Sequence, residues 1–155
     1  MTNSDILGEP SGFVIEPIPV GEEVSSLSAI IMDDDYYNFT IKNSFVDNGL
    51  KVASPLALIV LKIKAYLNLL AEKEQGHHVN TKHIKKHRSD VLKLVATTAL
   101  GDPTPVTEEI MDSVTDFIAK IRAMLPSQGL EAALGRSSED IASYIDILEE
   151  MFVRE

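Results

Sequence analysis

The apolar positions change their spacing along the chain. From Phe13 to Val52, β-branched and aromatic residues cluster in short runs separated by turn residues. Phe13–Ile18 reads as a strand ending around Pro17 and Pro19. Leu27–Met32 reads as a mostly buried strand, and Tyr36–Lys42 as another. Phe45-Val46 and Leu50-Lys51-Val52 flank Asp47-Asn48-Gly49. An Asn-Gly pair adopts positive φ at little cost, so this segment predicts a hairpin.

After Ser54-Pro55 the spacing becomes helical. Ser is a good N-cap and Pro suits the first helical position, so a helix is expected from Pro55 to about Gln75, stopped by Gly76. A second helix is expected from about Thr81 to Ala99, with an apolar line of Ile84, Val91, Leu94 and Val95 and with His87 in the gap. Asp102-Pro103-Thr104-Pro105 reads as a linker. A third helix from about Thr107 to Leu125 carries Ile110, Val114, Phe117, Ile118, Ile121 and Leu125 at steps of three and four. Ser127–Gly135 reads as a loop that allows one helical turn at Leu130–Leu134. The last helix begins near Ser137 or Ser138, with Glu139 and Asp140 in its positive first turn. Its stripe is Ile141, Tyr144, Ile145, Leu148, Met151 and Phe152. Strands followed by helices predict an α+β fold: a short antiparallel or mixed sheet in the N-terminal third, then a bundle of about four helices. Residues 1–12, punctuated by Gly8, Pro10 and Gly12, read as a flexible start. Residues 13–155 read as a single domain, with 13–53 supplying strands and 54–155 helices.

Composition narrows the chemistry. The 155 residues include no Cys, which excludes a disulfide scaffold, a zinc-thiolate site and a thiol nucleophile. No apolar run is long enough for a signal peptide or a membrane span, so a soluble, cytoplasmic protein is expected. The net charge of −10 makes the chain a poor direct binder of nucleic acid. That charge is unevenly spread. Residues 1–50 carry one base against nine acids, and residues 94–155 carry four against twelve. Residues 51–93 carry nine bases against three acids. A basic middle can hold a phosphate, or it can pair with the acidic segments around it, and on composition the second reading leads.

Three clusters can carry chemistry. Lys62 has Leu58, Ile59, Ala65 and Tyr66 as helical neighbours, so it either snorkels past them to water or meets an anion in a cleft. Lys64 is more easily placed at the surface. His83, His87 and Asp90 can share a helix face, with His77 and His78 upstream, but the Glu of a His-Glu-x-x-His metal motif is replaced by Ile84. His87 is better placed to hydrogen-bond Asp90 or Lys62. Asp33-Asp34-Asp35 offers carboxylates to a divalent cation, with Asp33 and Asp35 as its ligands, or forms a solvated turn, and the spacing favours the turn.

The stretch from Ser54-Pro55 through Leu61-Lys62-Ile63-Lys64-Ala65, followed by Lys86-His87-Arg88-Ser89-Asp90-Val91, resembles the helical half of bacterial nucleotidyltransferase-like proteins of the abortive-infection toxin type. Lys62 and Ala65 match that family's Lys-x-x-Ala pair. Lys86 and His87 stand where Arg-Asp usually stands, and Asp90-Val91 where Asp-Leu stands. The segment Ser26–Tyr37 also looks like the region preceding this helix in one branch of the family, so the resemblance covers about residues 13–100. It implies a toxin–antitoxin setting and a phosphate-binding role for Lys62, Lys86 and His87, with Lys62 and Asp90 assisting catalysis. It also implies Mg²⁺ with a nucleoside triphosphate wherever the site is complete. In the family, a Gly-Ser pair and an Asp-x-Asp pair hold the triphosphate and two metal ions. This chain has no Gly-Ser dipeptide, and its one Asp-x-Asp is Asp33–Asp35. The resemblance is therefore to a truncated member, non-catalytic alone, that binds phosphate or completes a partner's site. The alternative is a structural or interaction module that engages a protein partner, or itself, through an exposed sheet edge.

Overall fold

Side-chain caps set the boundaries of most helices. The computed structural model describes Phe13–Val14 through their backbone, Ile30, and residues 33–155. Strand β1 is Phe13–Val14. The rest of the strand expected over Phe13–Ile18 lies outside the described residues, as does the flexible start over 1–12. Leu27–Met32 does too, apart from Ile30, which is buried and helical rather than extended.

Helix α1, Asp34–Lys42, replaces the strand expected at Tyr36–Lys42. Asp33 is its N-cap and accepts a hydrogen bond from the Asp35 backbone N–H at 3.0 Å, while Asp34 and Asp35 occupy the positive first turn. Tyr36, Phe39 and Thr40 are buried, which is a helical spacing rather than strand alternation. The aromatic and β-branched content that favours a strand is overridden by this cap and by the tertiary surface that Tyr36 and Phe39 fill.

Strands β2 (Ser44–Asp47) and β3 (Leu50–Ala53) form the expected hairpin, with Ser44 opposite Ala53 and Asp47 opposite Leu50. Asn48 and Gly49 both take positive φ, 52° and 80°, which matches the twist of the paired strands. Strand β1 lies parallel to β3 on its other side, giving a mixed sheet ordered β1-β3-β2.

Helix α2, Pro55–Glu74, starts where Ser54 accepts from the Ala57 N–H, and it has Pro at the first turn. It is buried on most of its circumference, including Ala57, Ile59, Val60, Leu61, Ile63, Ala65, Tyr66 and Leu69. Helices α3 (Thr81–Thr97) and α4 (Glu108–Met124) pack against it, with α1 on a further side. Tyr66 of α2 meets Phe117 of α4 edge to face, with ring centroids 5.4 Å apart. Short α5 (Gln128–Leu134) and α6 (Ser138–Met151) complete the helices.

The segment read as a linker holds strand β4, Thr104–Val106. It pairs in parallel with β5, Phe152–Arg154, directly after α6. A parallel pair needs a long crossover, and α4, α5 and α6 supply it. The fold is α+β, as expected, with helices predominating. Its layout differs: six helices are present among the described residues rather than about four, one of them in the N-terminal third, and a second sheet lies at the C-terminal end. No helix among the described residues is long and apolar enough to cross a membrane.

Candidate functional site on two faces of helix α2

Lys62 and Lys64 are two residues apart on α2. At 100° per residue they point about 200° from each other, so they face opposite sides of the helix. Each side carries its own cluster of charges.

Lys62 faces α3. Its side chain is only 2% exposed, and its Nζ donates to Asp90 Oδ2 at 3.0 Å. The snorkelling expected of an isolated helix is replaced by burial against a carboxylate of the protein's own. Lys86, one turn before Asp90 on α3, donates to the same oxygen at 2.9 Å from a half-exposed position. Burial pushes the Asp90 carboxyl up, but hydrogen bonds from Lys86 and Lys62, and then their charges, outweigh it and hold the group below the usual carboxylate range. The pairing is within the basic segment itself, since Asp90 is one of its three acids.

His87 is fully buried on the stripe between Ile84 and Val91, while Asp90 accepts hydrogen bonds from Lys86 and Lys62. His83, His87 and Asp90 do not converge as a set of metal ligands. Among the described residues, the three-group convergence is elsewhere.

Lys64 faces α1 and α4. Its Nζ lies 5.6 Å from the centroid of the Tyr36 ring, a cation–π distance. Asp33, Asp35 and Glu109 meet on this side, with carboxylate oxygens within 4.8 Å of one another. The Asp triplet is thus a helix start rather than a turn after a strand. Glu109, in the first turn of α4, was not legible as its third member. Desolvation and the nearby Asp33 and Asp35, Asp33 also by hydrogen bonding, push the Glu109 carboxyl up, against the pull of Lys64. An all-oxygen donor set suits a hard cation such as Mg²⁺ or Ca²⁺, with solvent or phosphate oxygens filling the remaining positions. Beneath the cluster, the fully buried Tyr36 hydroxyl lies 2.6 Å from Ser113 Oγ. Burial, partly offset by that hydrogen bond, raises its pKa to about 12, so it stays protonated at neutral pH.

The structure therefore brings Lys62, Lys86 and Asp90 together, and separately Asp33 and Asp35. It does not join the two sets, because the body of α2 lies between them. Comparison with protein-family models, with curated proteins and with solved structures finds no match to this chain.

Proposed function

We propose that the chain is a nucleotidyltransferase-like domain that holds no complete transfer site of its own and uses its basic helical region to engage a phosphate-bearing ligand or to complete a partner's site. The observation that carries this reading is the division of charge across α2. A working transfer site needs metal-bound carboxylates and a phosphate-binding lysine around one reacting phosphorus. Here Asp33 and Asp35 lie with Lys64 on one side, and Lys62 is turned to Asp90 on the other. The sequence also lacks the Gly-Ser pair on which the resemblance would seat a triphosphate.

Lys62 and Asp90, the two residues matched to the family's helical motifs, act in this reading as the fastener between α2 and α3. Lys86 also bonds Asp90 but is half exposed, and with the exposed Lys82 and Lys85 it marks the basic side of α3 that a ligand would meet. The test has two parts. Incubation with labelled nucleoside triphosphates, Mg²⁺ and RNA or protein acceptors is expected to give no label transfer. Thermal-shift titration with Mg-nucleotides is expected to raise the melting temperature, since a ligand of the native state stabilises it by mass action. Label transfer that disappears in Asp33→Asn/Asp35→Asn contradicts the first part, and an unmoved melting temperature contradicts the second.

A second reading, an interaction module, is favoured by the hairpin. Among the described residues, strand β2 is an edge of its sheet, with Phe45 49% and Val46 69% exposed, and Leu50 follows in β3. Apolar side chains on an unpaired edge favour association with a protein partner or a second copy. A monomer in sedimentation at high concentration, unchanged by Val46→Lys, would remove self-association from this reading.

A further inference from the structure

A small cavity of about 160 Å³ opens where α3, α5 and α6 meet, away from both faces of α2 described above. Its apolar lining is Leu92 and Ala96 of α3, Leu134 of α5 and the half-buried Tyr144 of α6. Two cations complete it, Lys93 and Arg136, both exposed. Arg136 reaches the rim because α5 ends at Gly135, whose φ of +65° turns the chain back toward α6.

Arg136 differs from the other exposed arginines in its pairing. The other exposed arginines are neutralised: Arg122 bridges Asp146 and Glu149, and Arg154 bridges Glu108 and Asp112. Among the described residues, neither Lys93 nor Arg136 makes an ion pair. The carboxylate of α5, Glu131, is already bonded to the Ser138 backbone N–H and hydroxyl at 2.9 and 2.6 Å. Lys93 and Arg136, two cations without an ion pair, thus stand beside an apolar wall on a chain of net charge −10. An apolar pocket with a few convergent polar groups is the usual build of a small-molecule site.

We propose that this cavity binds a small organic anion, with its acidic head between Lys93 and Arg136 and a short flat apolar body against Leu92, Leu134 and Tyr144. The volume limits the body to roughly the size of one aromatic ring, smaller than a typical drug-sized site. Arg136 supplies a planar fork suited to a carboxylate or a phosphate, and Lys93 supplies a point charge. The site is independent of the transfer reading, since it uses none of Lys62, Lys86, Asp90, Asp33 or Asp35.

The test titrates the ¹⁵N-labelled protein with benzoate, phenyl phosphate and neutral benzamide. Saturable shifts are expected for one or both anions at Ala96, Thr97, Gly135 and Tyr144, with a dissociation constant on the order of 1 mM, as fits a ligand of roughly ten heavy atoms. Tighter binding of benzoate assigns a carboxylate head, and tighter binding of phenyl phosphate assigns a phosphate head. Arg136→Gln and Lys93→Gln, both at exposed positions, are expected to weaken binding roughly tenfold each. Lys85→Gln, on the same helix but outside the cavity, is expected to leave it unchanged. The proposal is overturned if neither anion saturates, if benzamide binds as well as the anions, or if Arg136→Gln and Lys93→Gln bind like the unaltered protein.

Discussion

The two faces of α2 each carry a cluster of charged side chains and treat it in opposite ways. On the α3 face, a lysine is almost wholly removed from water and a carboxylate is held beside it by two cations. On the α1 and α4 face, three carboxylates crowd together under one lysine whose charge is shared with an aromatic ring. Burial makes the first arrangement structural: a charge taken out of water must be matched on the spot. Partial exposure leaves the second unbalanced, with water screening part of the repulsion. A lysine in an apolar helix is therefore not by itself a sign of a ligand. What matters is whether the facing helix already brings the anion.

The largest effect expected is on the buried side. Asp90→Ala removes the carboxylate facing Lys62 and is expected to cost about 3 kcal/mol in urea unfolding, the low end for a broken buried pair because Asp90 stays 23% exposed. Lys62→Met/Asp90→Leu, which replaces both charges by apolar groups, is expected to recover most of that loss. Recovery absent in the double variant would mean that the carboxylate serves something other than the pair. Tyr36→Phe is expected to cost about 1 kcal/mol by deleting the hydroxyl that meets Ser113. An unchanged midpoint would mean that this bond adds nothing to the α1–α4 contact.

The pH dependence should separate the faces by sign. Asp90 has its folded pKa depressed, so its contribution is present above its unfolded pKa and is lost as pH falls through the lower folded value, below about pH 4. Glu109 has its folded pKa raised, so its favourable contribution is present below its unfolded pKa and is lost as pH rises through the higher folded value. Glu109→Gln is accordingly expected to stabilise the protein at pH 7 by a few tenths of a kcal/mol, a small effect because the group is exposed. That gain should vanish in acid, while the cost of Asp90→Ala shrinks over the same range. Unfolding titrations of the two variants between about pH 3 and 7 check both signs. Lys86→Ala, the half-exposed outer partner, should cost the least of the ion-pair variants, about 0.5 kcal/mol.

Much of the helical framework was legible in the sequence because its signals are local. Ser54-Pro55, Thr107 and Ser137 cap helices where a side-chain oxygen and the following apolar period announce them. Helix α1 was not legible because Tyr36, Tyr37, Phe39 and Ile41 have strand propensity. The countersignal was Asp33 capping two further acids and the spacing of Tyr36, Phe39 and Thr40. Strands β4 and β5 escaped because each is three residues long and finds its partner across the whole of α4 to α6, and Pro105 argues locally for a linker. The same division holds for the sites. Lys62 and Asp90 were visible as an odd cation and an acid on adjacent helices. Glu109 was not, because nothing near it in the sequence indicates that α4 starts beside the Asp33 cap.

Lys62 belongs with Asp90 and not with the acidic cluster across α2. A pair of double-mutant cycles in urea unfolding tests it directly, one for Lys62→Met with Asp90→Asn and the other for Lys62→Met with Asp35→Asn. A coupling of at least about 1 kcal/mol is expected in the first cycle, and additivity within roughly 0.5 kcal/mol in the second. Comparable coupling in both cycles would join the two faces into one charged site and contradict it.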